Sequence, residues 1–277
     1  MEDALKEVQR AVRLGARWDD ASENQRFKLA KQEGLVEYVE VNFPISETEN
    51  PLEIGLPILA HTSNNPICSA FGYDIEIASR VRDGANAVNS PWVGEHLAML
   101  GCSETGALGY VINPLFIEDF AETAVQNVLS LTDYYGRPIA LELGPLYTPP
   151  DGPFLSELDF LGSVATRANA GIILDLTHWT ISNKNLGRQL DFGLDHLPAE
   201  RVIELHIAGM RQSSSGDLWH DAHGANLSEE ILRILTEVLP RFFAVEAVTL
   251  EHSIERPDRD FLTSLELTRN AMNAAGR

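Results

Sequence analysis

Two pairs of residues capable of metal or acid–base chemistry recur at a spacing of two: Glu204 with His206, and Asp221 with His223. The first pair sits in an apolar run, Val202, Ile203, Leu205 and Ile207, of the kind that suits a strand buried on both faces. A strand alternates faces with a period of two, so Glu204 and His206 are expected to share one face, opposite Ile203, Leu205 and Ile207. A buried carboxylate and imidazole need partners, because an isolated buried charge is costly. Convergence on a metal ion would supply them.

Read along the chain, His61, His96, Glu142, Asp175, His178, His206, Asp221, His223 and Glu251 stand at or just beyond the expected strand ends. Seven of the eight histidines, all but His196, do so. A single His or Asp there carries little weight, since hydrogen-bonded core histidines and helix-capping aspartates are common. The set as a whole is costly to hold unpaired at one barrel mouth, and metal coordination relieves that cost. Nine side chains exceed the about four ligands of zinc or six of octahedral iron or manganese, so two or three metals bridged by carboxylates are expected. Imidazole and carboxylate without thiolate suit iron, manganese or zinc and do not suit a sulfur cluster. Glu95 and Glu204 are the candidate catalytic groups, orienting a histidine or carrying a proton; hydrogen-bonded burial in the barrel interior is the alternative. His220 and His252 flank candidate ligands, where they would contact substrate or face solvent. Tyr147, Trp179 and Trp219 would either line a pocket or pack the loops.

The elements that must carry these groups follow from periodicity and breakers. After a polar, helical-looking start, strands are expected at residues 35–43, 56–61, 92–99, 138–142, 172–175, 202–207 and 247–251. Residues 64–74, with Asn64, Asn65, Pro66 and Gly72, read as a loop. Phe116, Phe120, Ala124, Val128 and Leu131 recur at helical spacing, with Gly136 as the stop and Pro138 opening the next strand. A Pro-rich loop from Pro145 to Pro153 precedes a helix carrying Leu158, Leu161, Val164, Ala165 and Ala168. Residues 213–216 read as a surface loop, Ile231, Leu235, Val238 and Leu239 as one helix face, and Phe261, Leu265, Thr268 and Met272 as another. About eight strand–helix units in 277 residues, without an internal linker, predict a single-domain α/β protein, a (β/α)₈ TIM barrel spanning residues 1–277, with reactive groups at the C-terminal strand ends. A doubly wound sheet is the rival, but no glycine fingerprint follows the first expected strand.

With 44% hydrophobic residues the chain can bury a large core, while a net charge of −20 and a pI near 4.7 argue against nucleic acid and anionic membranes as partners. The acidic surface favours a basic partner or leader peptide. The Met-Glu-Asp-Ala-Leu-Lys-Glu start lacks a secretion pattern, and no apolar run reaches the roughly 18 residues of a membrane span, so a cytoplasmic location is expected. Cys68 and Cys102 provide no disulfide framework, in keeping with a reducing compartment, and read as small buried apolar residues.

Gly-Glu-His-Leu-Ala at 94–98, Glu-Leu-His-Ile-Ala-Gly at 204–209 and Asp-Ala-His-Gly at 221–224 resemble the motifs of the multinuclear non-haem iron-dependent oxidative enzymes. His61, Glu142, the Leu-Asp-Leu-Thr-His at 174–178 and Glu251 extend the resemblance in the family's order. It implies a barrel related to xylose isomerase, two or three iron ions, dioxygen as co-substrate, and a Cys-containing ribosomal precursor peptide as substrate. A small leader-peptide-binding partner protein commonly accompanies such enzymes. In the methanobactin branch, cysteine becomes an oxazolone–thioamide pair; in the 3-thiaglutamate branch, the β-carbon of a C-terminal cysteine is excised. Where the methanobactin branch has Glu-Asn and Asp-Ala-Ser-Asn, this chain has Glu142-Leu143 and Asp175-Leu-Thr-His178. That difference favours the carbon-excision branch. The ordered ligands also resemble the tri-zinc site of endonuclease IV, whose DNA substrate suits a charge of −20 poorly. A divalent-metal sugar isomerase and a metal-storing barrel are the remaining alternatives.

Overall fold

The computed structural model describes residues 11–99, 112–149 and 152–277; the extreme N-terminus, Cys102 and Pro150 lie outside them. Strands β1 (Arg13–Trp18), β2 (Tyr38–Asn42), β3 (Ile58–Thr62), β4 (Val93–His96), β5 (Ile139–Glu142), β6 (Gly171–Asp175) and β7 (Val202–Ala208) pair in parallel, each with the next. Strands β8 (Met210–Gln212) and β9 (Trp219–Asp221) form a separate antiparallel ribbon, and β10 (Ala247–Glu251) closes the barrel between β7 and β1. The helices are α1 (Asn24–Gln32), α2 (Ile75–Ala87), α3 (Glu118–Tyr135), α4 (Glu157–Arg167), α5 (Leu176–Asn185), α6 (Glu229–Val238) and α7 (Asp258–Ala274). None in the described residues is long and apolar enough to cross a membrane.

Each strand divides its side chains between two layers, as a period of two requires. Leu14, Ala16 and Trp18 of β1, Val39 and Val41 of β2, and Val248 and Leu250 of β10 face the helices in the main core. Inside the barrel, Tyr38, Leu59, Trp92, Ala140, Ile173 and Ala247 fill the half nearer the N-terminal ends of the strands. Gly15 faces inward too, and a Cβ there would collide with the Tyr38 ring. With this half of the lumen plugged by apolar side chains, the polar residues of the same parity gather at the opposite end.

Helix starts follow local chemistry. Asp74, Ser156, Asp175 and Ser228 accept backbone N–H bonds at the first turns of α2, α4, α5 and α6. Gly136, at φ 64°, ends α3 in the left-handed conformation expected of a terminating glycine.

Four sequence expectations change. The helical-looking start contains β1, whose alternation of Val12, Leu14, Ala16 and Trp18 is masked by Arg13, Gly15 and Arg17. Helices α2 and α5 occupy stretches that periodicity left unassigned. The strand expected at 92–99 is hydrogen-bonded as a strand only from Val93 to His96. Ile203 does not face the helices with Leu205 and Ile207: a register shift against Ile172 and Ile173 of β6 turns it towards the interior layer beside Tyr38 and Ile173.

Candidate metal centre

All nine expected ligands converge at the C-terminal ends of the strands. Glu142, the last residue of β5, is the hub: its Oε2 lies 3.0 Å from His61 Nε2 and 3.1 Å from His96 Nε2, while Oε1 lies 3.3 Å from His178 Nδ1 and 3.8 Å from His206 Nδ1. Among the described residues four clusters have ligand atoms mutually within 4.8 Å: three made of expected ligands alone, namely His61, His96 and Glu142; Glu142, Asp175 and His206; and Asp221, His223 and Glu251; and a fourth, deeper in the barrel, of Glu40, Glu204 and His206. Glu142 belongs to two of them. His178 Nε2 reaches to 3.6 Å from Asp221 Oδ2, joining the third cluster to the hub. The β8–β9 ribbon is what brings Asp221 over the mouth.

Local structure aims each group. Asp175 uses one carboxylate oxygen to cap α5, accepting from Thr177 N at 2.6 Å and His178 N at 2.7 Å, and leaves the other without a hydrogen bond, 3.5 Å from His178 Nδ1. One turn of helix then brings His178 back over the same site. Gly94 makes room for the His61 ring, which a Cβ there would strike.

Three histidines have one ring nitrogen at hydrogen-bond distance from an acceptor outside the cluster and the other turned into it, although Nδ1 of His178 also faces Glu142 Oε1 at 3.3 Å. His61 Nδ1 is 3.0 Å from Asn42 Oδ1, His178 Nδ1 is 3.1 Å from the Leu143 carbonyl, and His206 Nε2 is 3.0 Å from Glu40 Oε2. Those acceptors favour the tautomer whose remaining nitrogen carries a lone pair. Glu204 lies beneath, with Oε1 3.5 Å from His206 Nε2, accepting from Thr249 Oγ1 at 2.7 Å and Trp92 Nε1 at 2.9 Å. It therefore sits where a group orienting His206 would be needed.

The donor set fits divalent cations. His206 Nδ1, Asp175 Oδ2, Asp221 Oδ1 and His223 Nε2 are buried without a hydrogen-bond partner. His223 Nε2 lies 2.8 Å from Asp221 Oδ2 and 2.9 Å from Glu251 Oε2, yet is aligned for a hydrogen bond with neither. Lone pairs gathered this closely without a shared hydrogen are what a cation between them would satisfy. Electrostatics point the same way. Burial would raise the Glu142 carboxyl, but the facing His96 and His206, with His178 and His61 beside them, hold it well below its ordinary value. Burial would depress the His223 imidazole, yet Glu251 and Asp221 push it up to about 10, while burial opposes and the neighbouring His178 and His223 imidazoles bring Asp221 down to about 2. The site attracts positive charge.

Glu95 is not part of this arrangement. Its neighbours Gly94 and His96 point into the barrel, so Glu95 points out, accepting from the Tyr135 hydroxyl at 2.6 Å and Asn65 Nδ2 at 2.8 Å. His252 is buried against Phe261, with ring centroids 5.3 Å apart, and neither contacts the cavity nor faces solvent. Tyr147 lines the cavity, whereas Trp179 is buried with its Nε1 donating to the Phe192 carbonyl at 2.9 Å and Trp219 packs on Lys184. His220 stacks beside Tyr147, their centroids 5.7 Å apart. Arg17, Glu40, Asn42 and Asn113 were missed from sequence; Arg17, Asn42 and Asn113 line the cavity, whose volume is about 760 Å³. Glu40 and Asn42 share the inward parity at the end of β2, a signal available once the strand is recognised.

Fold and site together define a parallel barrel whose mouth carries a shared cluster of imidazoles and carboxylates. The chain belongs to the family of enzymes that modify ribosomally synthesised precursor peptides, described as RiPP precursor modification enzyme MbnB/TglH/ChrH, whose model matches residues 37–273. Among its relatives, the UPF0276 protein of Caulobacter vibrioides is 26% identical over 262 residues, covering 90% of both chains. The UPF0276 protein VP3015 of Vibrio parahaemolyticus is 31% identical over 155 residues, 54% of this chain and about half (52%) of that protein's length. Similar solved structures include L-ribulose 3-epimerase (TM-score 0.62, 12% identity, 96% of this chain and 94% of that one) and a xylose isomerase domain protein from Planctomyces limnophilus (0.62, 15%, 96% and 99%). Endonuclease IV from Thermus thermophilus is also similar (0.56, 16%, 94% and 99%). At such identities the likeness establishes the xylose isomerase-like barrel and leaves the reaction to the site.

Proposed function

We propose that the protein uses iron and dioxygen to oxidise a cysteine of a ribosomally made precursor peptide, excising the β-carbon of a C-terminal cysteine as formate, which takes up both atoms of one dioxygen, while the sulfur moves to the α-carbon. The observation that carries this reading is the convergence of His61, His96, Glu142, Asp175, His178, His206, Asp221, His223 and Glu251, with unpaired lone pairs, in a member of a peptide-modifying family. His61, His96 and Glu142 would hold one iron, Glu142, Asp175 and His206 a second, and His178, Asp221, His223 and Glu251 a third. Bound iron would supply the electrons that activate dioxygen and the Lewis acidity that keeps the cysteine as thiolate.

The chain's own residues do the rest. Asn42, the Leu143 carbonyl and Glu40 would fix the tautomers of His61, His178 and His206, so that lone pairs and not N–H groups face the reacting centre. Glu204 would hold His206 from below through the Thr249 and Trp92 hydrogen bonds. Tyr147, Leu146 and Ile112 flank the cavity, where they would cover the peptide end and limit water. A small leader-binding partner protein would deliver the precursor, since a cavity of about 760 Å³ accommodates only a short segment of peptide.

A cysteine-terminated peptide encoded beside the gene, incubated with iron-loaded protein and oxygen, should lose the mass of one methylene group. Loss of hydrogens alone would point to oxazolone–thioamide chemistry. Asp221→Ala should abolish turnover and lower iron content; full activity would remove Asp221 from the ligand set.

A further inference from the structure

We infer that Arg17 is the anchor for the α-carboxylate of the substrate's C-terminal residue, and so selects a terminal over an internal cysteine. This rests on the reading above and assigns a residue outside the stretch matched by the family, residues 37–273. The parity of β1 places it: Leu14, Ala16 and Trp18 face the helices and Gly15 packs on Tyr38 inside the barrel, so Arg17 points inward at the strand's C-terminal end. There it is the one Lys or Arg among the described residues lining the cavity.

Its guanidinium is held by two carboxylates. Nε donates to Asp19 Oδ1 at 2.9 Å and Nη1 donates to Glu251 Oε1 at 3.3 Å. A guanidinium has five N–H donors in a rigid plane, and these two bonds fix the plane while leaving Nη2 without a hydrogen-bond partner among the described residues. The remaining donors suit a carboxylate, which guanidinium recognises with geometric and electrostatic complementarity.

Glu251 couples this anchor to the chemistry, because it also lies 2.9 Å from His223 Nε2 in the third cluster. A C-terminal cysteine carries thiol and carboxylate separated only by its β- and α-carbons. With the thiolate among the candidate ligands, the carboxylate of the same residue is within reach of Arg17. An internal cysteine presents an uncharged amide at that place, and a carboxylate on the cavity wall would repel any other anion. The one guanidinium on a described cavity wall that carries Glu142, Asp221 and Glu251 is therefore where the terminal carboxylate is accepted.

Two probes test this: the tetrapeptide Ala-Ala-Ala-Cys with a free carboxylate and the same peptide as its C-terminal amide. Both are titrated calorimetrically, without oxygen, into metal-loaded wild type, Arg17→Lys and Arg17→Gln, with metal content measured alongside. Wild type should prefer the acid by about tenfold or more, the scale of a charge-assisted hydrogen bond. Arg17→Gln should lose that preference while its affinity for the amide stays within a few-fold, and Arg17→Lys should keep part of it. Equal affinities of wild type for acid and amide overturn the inference whether or not either variant folds. So does an Arg17→Gln protein that holds its metal and still prefers the acid. If cysteine peptides are oxidised but acid and amide react alike, the anchor fails alone; if no cysteine peptide is bound or oxidised, the parent reading fails with it.

Discussion

Glu40 decides which nitrogen of His206 is available. The imidazole is fully buried, and its Nε2 stands 3.0 Å from a carboxylate that is itself buried, so the proton belongs on that side and the lone pair on Nδ1. Glu40→Gln keeps an acceptor for this N–H, whereas Glu40→Leu removes it and frees the ring to turn. Metal affinity, measured by competition with a chelator, should be nearly retained in the first variant and weakened about 10- to 100-fold in the second. Equal weakening in both would mean that charge, and not orientation, is what Glu40 supplies. The nine candidate ligands, which the barrel brings together, were legible in the sequence because histidine and carboxylate are unusual residues at the end of an apolar strand. Glu40 and Arg17 were not, since an acid in an alternating strand reads equally well as solvent-facing, and β1 was unrecognised.

At the scale of elements, β4 presents opposite chemistry on its two faces: His96 to the cluster and Glu95 to α3. Burial pushes the Glu95 carboxyl up to about 8, against the lowering effect of hydrogen bonds from Tyr135 and Asn65. A carboxyl raised in the folded state binds its proton more tightly there than in the unfolded chain, so its contribution is fully present below about 4.5 and is lost as pH rises through about 8. Thermal unfolding of Glu95→Gln should therefore depend less steeply on pH than wild type across that window, and an unchanged slope would contradict the assignment. Strand ends and amphipathic helices were readable wherever one periodicity dominated, as in α3 and β10. The inward turn of Ile203 was not, because a register shift depends on the partner strand β6, and no local pattern in β7 records it. Nor was the β8–β9 ribbon, whose loop sequence is polar and carries no alternation, though it is what positions Asp221.

For the whole molecule, the barrel is the economical way to bring residues as distant in sequence as His61 and Glu251 into one site. Closure by β1 and β10 sets the first and last strands side by side and adds Arg17 to the rim. A net charge of −20 leaves this mouth in an acidic molecule, which favours cations and disfavours DNA despite the likeness of its barrel to that of endonuclease IV. The proposed function requires the shared cluster to hold several irons. Its most direct test is metal analysis of protein purified without added metal, paired with Mössbauer spectroscopy of iron-57-enriched material. Two or three irons per chain with magnetically coupled ferric signals are the predicted result; zinc or manganese at that stoichiometry, with negligible iron even from iron-rich culture, would contradict it and move the reaction to hydrolysis or isomerisation.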